Sequence, residues 1–300
     1  MLKSEKLTDL ETTPRTVKGR SLWQDAIRRL LHNKAAVVSM VLLGIIILLA
    51  LFAPYFSPWT YDDPDWGYDF PGPPNWELSH WFGTDGNGRD LFVRTLYGAR
   101  ISLMVGILAT SVSLLIGVTY GATAGFLGGK IDNMMMRFVD ILYSLPFMFF
   151  VILLMVFFGR NIFLIFIALG AVEWLTMARI VRGQTLSIKK KEFIEAAHAV
   201  GVSNWKIIIR HIIPNVLGPV IVYMTLTIPQ VILTESFLSF LGLGVQEPLT
   251  SWGVLISEGA KQMESAPWLL VFPALFLALT LFCFNFIGDG LRDALDPKDR

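Results

Sequence analysis

Apolar runs free of Asp, Glu, Lys and Arg recur along this chain, separated by segments that hold most of its charge. The first runs from Ala35 to Thr60, with Pro54 and Pro58 placing the end of its helix near Phe56. The others are Ile101 to Gly129, Ile141 to Gly159, Asn161 to Ala178, Ile212 to Thr234 and Ser265 to Gly288; only the Asn161 run is interrupted, by Glu173. About 20 helical residues cross the hydrocarbon layer of a bilayer. The pattern therefore predicts an all-α membrane protein with six transmembrane helices, at about 35–56, 101–127, 138–159, 161–178, 212–234 and 266–288. A shorter apolar stretch, Ser236 to Val245, predicts a re-entrant or surface segment. Residues 1–34 would form an N-terminal arm and 35–300 the transmembrane domain.

Charge then orients the spans. Of the 25 Lys and Arg, 20 fall before the first span, between the second and third, between the fourth and fifth, or after the sixth. The other set holds Arg89, Arg94, Arg100, Arg160 and Lys261. Lys and Arg are retained on the cytoplasmic side, which predicts cytoplasmic N and C termini. The segment from Ser57 to Tyr97 is then external, where its acids and Trp59, Trp66, Trp76 and Trp81 suit an interface belt or a packed cap.

The arm ahead of the first span places Trp23, Ile27, Leu30 and Leu31 at helical spacing near Arg28, Arg29 and Lys34. This predicts a short helix, lying either on the inner membrane face or packed on the protein. Residues 1–20 carry no periodicity. The first apolar run lacks a small-x-small cleavage site and predicts an uncleaved signal anchor.

Composition agrees with a membrane class. Hydrophobic residues are 54% of the chain, charged residues 16%, and the mean hydropathy is +0.57, whereas a soluble domain is about a quarter charged. A net charge of +1 offers no global basic excess for a nucleic acid. The single cysteine, Cys283, excludes a disulfide framework and suits a small core position. Gly125 to Lys130 is followed by Ile131, so it lacks the Gly-Lys-Ser/Thr of a phosphate loop. His32, His80, His198 and His211 are scattered and predict no metal site. No catalytic residue and no cofactor is expected; any work done here draws on a partner's energy.

Ionisable residues inside spans are functional candidates, and Glu173 is the one lying well within a predicted span. It marks either a cavity, as on a substrate path, or local packing six positions before Arg179. Arg137 and Asp140, three apart, predict a salt bridge along one helix. Gly106, Gly117 and Gly121 suit close helix packing.

The segment Arg179 to Asn215 is the most structured of the predicted cytoplasmic segments. Phe193, Ala196, Ala197 and Val200 share one face of a helix expected over Lys189 to Val200. Gly201 supplies its stop, Ser203 caps a second helix, and that helix enters the fifth span at Pro214. Such a helix–turn–helix is a lever: Ala196 and Ala197 admit close approach of a partner, and Glu195 offers it a charge. A plain solvated loop is the alternative.

Glu195-Ala-Ala197, three residues, Gly201, nine residues, then His211-Ile-Ile-Pro214 resembles the EAA coupling loop of bacterial ABC-importer permeases. His80-Trp-Phe-Gly-Thr-Asp-Gly-Asn-Gly-Arg-Asp90, Glu235 to Gly244, Gln246-Glu-Pro248 and Ser251-Trp-Gly253 resemble the peptide and nickel group of those permeases. Arg20 to Ala26 and Phe286 to Pro297 are similar to its oligopeptide branch. The resemblance implies a bacterial inner-membrane subunit that pairs with a homologous permease subunit above two ATP-binding subunits. A periplasmic peptide-binding protein would deliver oligopeptides, with Glu195, Ala196, Ala197, Gly201, His211 and Pro214 docking an ATPase. A dipeptide importer of the same group, a membrane-embedded enzyme using Glu173 or Asp140, and a passive channel are the competing readings.

Overall fold

The computed structural model describes residues 22–159 and 161–295. Residues 1–21, Arg160 and the last residues of the Phe286 to Pro297 motif lie outside it. The described residues are helical apart from turns and isolated bridges in the 64–90 segment.

Helices α1 (Leu22–His32) and α2 (Lys34–Phe56) are separated by Asn33, whose side chain caps α2 by accepting the Ala36 N–H. α3 (Leu91–Leu127) starts ten residues before the predicted second span. Its N-cap is Asp90, whose Oδ1 accepts the Val93 N–H at 2.8 Å, so the helix boundary follows a capping carboxylate and not the end of charge. At 37 residues, α3 is about 55 Å long and exceeds the bilayer core.

The third predicted span is broken. α4 (Gly129–Ser144) and α5 (Phe147–Phe158) meet at Leu145 and Pro146 with an 81° bend. Proline lacks a backbone N–H and biases the preceding residue towards extended backbone; Leu145 has φ −74°, ψ 138°. α6 (Ile162–Ile188) continues ten residues past the expected Ala178. After α7 (Glu192–Ala199), α8 (Asn204–Ile207), a π-helical turn (Ile208–Ile212) and α9 (Ile213–Phe240) form one membrane-length helical stretch. Ser236 to Phe240 therefore ends α9, and the expected separate segment does not exist. α10 (Trp252–Lys261) and α11 (Trp268–Leu295) follow. Among the described residues, five helical stretches are long and apolar enough to span, or six if the bent α4–α5 pair counts as one.

The longest seam joins α3 to α6, and glycine makes it possible. A Cβ on Gly117 would sit 2.6 Å from the Met177 side chain, and one on Gly121 would overlap the Ala178 carbonyl. The four-residue spacing Gly117, Gly121, Gly125 places backbone against backbone, the small-residue packing that membrane helices use in place of hydrophobic drive. Gly106 instead faces Ile228 and Ile232 of α9. α1 packs on α11, with Leu30 beside Gly290, while Ile27 and Leu31 remain exposed.

Candidate functional site

Two polar constellations occupy opposite ends of the bundle, and a cavity lies between them. The first end is the hook formed by α7 and α8. α7 carries Glu192 and Glu195 in its first turn, where carboxylates favour the positive helix end. It stops by a double closure: the Gly201 N–H donates to His198 O at 2.9 Å and the Val202 N–H to Ala197 O at 3.1 Å. This Schellman turn needs a left-handed residue, and Gly201 has φ +78°. Ser203 occupies the N-cap position of α8 but makes no side-chain capping bond.

Burial corrects the expected helix face. Ile194 and Ala197 are the buried residues of α7, packed with Ile207, Ile208 and Ile212 against Val118, Ala122 and Phe126 of α3 and Met177, Val181 and Ile188 of α6. Phe193, Ala196 and Val200 face outward, with Trp205 and Ile209 beyond them. Ala197, 8% exposed, cannot admit a partner's groove. Periodicity misassigned the stripe because the outward face is apolar too. The helix is also shorter than Lys189 to Val200, since α6 continues through Ile188.

The His198 ring stacks on Phe126 at 5.6 Å, and His211 lies 6.3 Å from the Phe193 ring. Ahead of Pro214, the Ile213 N–H donates to Ile208 O, five residues back. The π turn widens the helix where the proline supplies no N–H. Glu195, Ala196 and Gly201 are exposed, His211 is half-buried and Pro214 is exposed.

At the other end, the segment 57–90 folds into a cap. His80 is fully buried, its Nδ1 2.8 Å from Asp90 Oδ2 and its Nε2 3.2 Å from Asp65 Oδ2. The ring stacks between Trp59 at 4.4 Å and Tyr68 at 5.3 Å. Gly67 N–H and His80 hold the Asp65 carboxyl below the usual range, whereas burial pushes Asp90 up against the Val93 and His80 bonds. Trp59 and Trp81 pack in the cap; Trp66 and Trp76 are exposed.

Two buried arginines share one carboxylate here. Asp85 Oδ2 accepts from Arg89 Nε at 2.8 Å and lies 3.1 Å from Arg94 Nε. Arg89 reaches Glu247 at 3.0 Å, and Arg94 Nη2 lies 3.6 Å from Glu258. The Arg94 Nε and Nη2 contacts are charge contacts without hydrogen-bond alignment, and its Nη1 donates to Tyr61 O at 3.3 Å. Burial pushes the Glu258 carboxyl up, with Arg94 opposing.

Beside this network Glu235 is fully buried. It accepts from Ser239 Oγ at 2.6 Å, Ser251 Oγ at 2.7 Å and, more weakly, Ser102 Oγ at 3.5 Å. Trp252 completes the joint, donating its N–H to Ser102 Oγ and its Nε1–H to Thr95 O. The motifs 80–90, 235–244, 246–248 and 251–253, far apart in sequence, thus meet at one end of α3 and α9.

Glu235 and Arg94 were missed as buried charges. Glu235 is the residue directly after the fifth uncharged run, so it read as a boundary. The signals for them were Ser236 and Ser239 around Glu235 and the capping character of Asp90 ahead of Leu91.

Between the two ends, Glu173 lines a cavity of about 430 Å³ under the α4–α5 bend, with Tyr143, Phe147, Phe150 and Thr176. Asp140 pairs with Arg179 at 2.7 Å and not with Arg137, and Arg179 also lies over the Tyr143 ring at 4.3 Å. Arg182 holds Asp132 through two bonds of 2.6 and 2.7 Å. Both arginines thus clasp α4 to α6, and Asp140 takes a cross-helix partner in place of the expected i, i+3 one.

Membrane-length helices, one of them continuous with the α7–α8 hook, make the architecture of a transport permease subunit. The chain belongs to the family of binding-protein-dependent transport system inner membrane components, whose match covers residues 113–300. It is accordingly a multi-pass inner-membrane permease and not itself a catalyst. Residues 21–74 match the N-terminal TM domain of oligopeptide transport permease C.

Among the chain's relatives, the oligopeptide transport system permease protein OppC of Haemophilus influenzae is 64% identical over 284 residues, covering 95% of this chain and 91% of that protein. OppC of Escherichia coli K12 is 63% identical, with 95% and 94% covered. The dipeptide transport system permease protein DppC of Bacillus subtilis is 46% identical, with 100% and 92% covered.

Proposed function

We propose that this chain is one of two homologous permease subunits in an ATP-driven importer of oligopeptides. Two ATP-binding subunits power it, and a periplasmic peptide-binding protein delivers substrate to the cap end. Both termini and the hook lie in the cytoplasm, an orientation supported by the concentration of Lys and Arg on that side. α1 lies at the cytoplasmic interface of the membrane, leaning on α11.

The observation that carries the reading is the continuity of the hook with a spanning helix. A partner that moves α7 acts on α9, because α8, the π turn and α9 form one stretch and the buried residues of α7 share a core with Val216 and Val220 of α9. Glu195, Ala196 and Gly201 form the contact surface for an ATPase, with Phe193, Val200 and Trp205 as its apolar body. Ala197, His211 and Pro214 set its orientation. ATP-driven closure of the ATPases pushes the hook, and the continuous Asn204–Phe240 stretch carries the motion towards the Glu235 joint. Glu173 and its cavity belong to the substrate path.

The test is purification of the assembled complex from membranes and identification of its chains, followed by ATP-dependent uptake of labelled oligopeptides in proteoliposomes. Glu195→Lys should release the ATPases and abolish uptake. Uptake and association at the unmodified level would overturn the docking assignment. A second reading, a dipeptide importer, draws on the full-length likeness to the Bacillus subtilis relative, and competition between labelled dipeptides and longer peptides separates the two.

A further inference from the structure

Glu173 sits about 17 Å along α6 from its Ile162 end, at 1.5 Å per residue, near the middle of a membrane-length helix, and is half-buried. Its carboxylate faces the cavity under the α4–α5 bend. Among the described residues it makes no hydrogen bond and no ion pair. The nearest cations on its own helix are committed elsewhere: Arg179 to Asp140, and Arg182 to both oxygens of Asp132.

A carboxylate within a spanning helix, left without a cation among the described residues, is costly unless something occupies the cavity with it. The cavity, about 430 Å³, falls within the ordinary range for a small-molecule site. Its walls suit an organic cation: Phe147 and Phe150 line it beside Tyr143, whose ring already carries Arg179 at 4.3 Å, Thr176 adds a hydroxyl, and Glu173 is its only charged residue among the described ones. Aromatic faces attract alkylammonium groups, and a carboxylate accepts their protons.

We propose that Glu173 is a transient binding point for an alkylammonium group of the peptide in transit. The inference rests on the importer reading above. The chemistry admits two sources, the peptide's N-terminal ammonium or a lysine side chain. The aromatic wall and the single carboxylate favour a site that slows a cation briefly and releases it, because no second acid holds it in place.

The experiment uses the assembled importer in proteoliposomes with its binding protein and ATP. It measures maximal uptake of two labelled tripeptides, Ala-Lys-Ala and Ala-norleucine-Ala, by the unmodified complex and by Glu173→Gln and Glu173→Asp. Removing a charge-assisted hydrogen bond from the path should lower uptake about tenfold in Glu173→Gln, with Glu173→Asp restoring most of it. A loss confined to the lysine peptide identifies the side chain as the source; an equal loss for both identifies the N terminus.

Uptake of both peptides at the unmodified rate in Glu173→Gln overturns the inference alone. So does an equal loss in Glu173→Gln and Glu173→Asp, which marks a packing role. Failure of Glu173→Gln to co-purify with the other subunits also overturns it, since the carboxylate would then be serving the assembly. If the unmodified complex imports neither peptide under ATP, the importer reading falls and this inference with it.

Discussion

Ser251 Oγ donates to Glu235 Oε1 across 2.7 Å and, as the N-cap of α10, accepts the Val254 N–H at 3.3 Å. One hydroxyl therefore starts α10 and fastens it to the end of α9. The same α9 is continuous with the hook at Asn204, about 47 Å from Glu235 by helical rise, at roughly 1.5 Å per residue. A displacement of the hook reaches this joint through a helix that holds Pro219 and Pro229, where bending can absorb part of it.

Glu235→Ala should lower the stability of the detergent-solubilised protein by about 2–4 kcal/mol, because buried hydroxyls at Ser239 and Ser251 are left without their acceptor. Glu235→Gln keeps one oxygen acceptor and should cost less than half as much. Thermal unfolding followed by tryptophan fluorescence orders the three proteins; equal midpoints would show the joint to be dispensable.

Gly121→Leu should destabilise by about 1–3 kcal/mol or more, since the added carbons meet the Ala178 carbonyl and the Val181 side chain. Gly44→Leu is the control, because nothing lies within 4 Å of a Cβ at that position. The prediction fails if both variants melt together.

Gly201→Val places a β-branched residue at φ +78°, at a cost of roughly 1–2 kcal/mol. The Schellman turn should open, and the Val202 N–H that donates to Ala197 O should exchange with solvent about tenfold faster. Hydrogen exchange resolved at that peptide reads it directly.

Arg182→Lys exchanges a two-bond fork for a point charge on Asp132. The pair is partly exposed, with the Arg182 side chain at 33%, so screening limits its worth to about 1 kcal/mol. A double-mutant cycle with Asp132→Asn should return a coupling of that size, and a coupling near zero would assign the α4–α6 clasp to packing alone.

Stability against pH should carry opposed contributions at the cap, from Asp90 and Glu258, both raised by burial, and from Asp65, which is lowered. Glu258 is raised by burial, so the folded protein binds its proton more tightly than the unfolded chain. Its contribution grows as pH falls through the raised value and levels off below the unfolded value of about 4.3. Asp65 is lowered, so its stabilisation is present above about 3.9 and is lost as pH falls through the folded value. Glu258→Gln should reduce the slope of the upper part of the melting profile, leaving the share of Asp90, and should leave the acid loss in place. An unchanged profile would sink the assignment.

Much of the bundle was legible in the chain because hydrocarbon imposes a simple rule: charge is excluded over about 20 residues. The apolar windows located every spanning stretch, and Pro214, Gly201 and the Glu195 spacing located the hook. Helix ends were less legible, because a helix obeys its caps and its hydrogen bonds, not the bilayer's edge. α3 begins at Asp90 and α9 runs on through Glu235, both beyond the uncharged windows. The bend at Pro146 was written in the sequence, yet the apolar run across it reads as one helix.

What the sequence determined by itself is the class of protein: membrane-length apolar runs, their alternation with basic segments, and the motif spacings that place it among transport permeases. Only the tertiary structure decided which charges are buried and with whom. Arg94 and Arg89 converge on Asp85, Asp140 turns to Arg179, Ala197 faces inward while Ala196 faces out, and Glu173 meets a cavity. Partner choice depends on which helices approach and at what rotation, and that is set by long-range packing such as the Gly121 seam. Local periodicity reports that a face is apolar; it cannot report whether the chain's own core or another molecule will cover it.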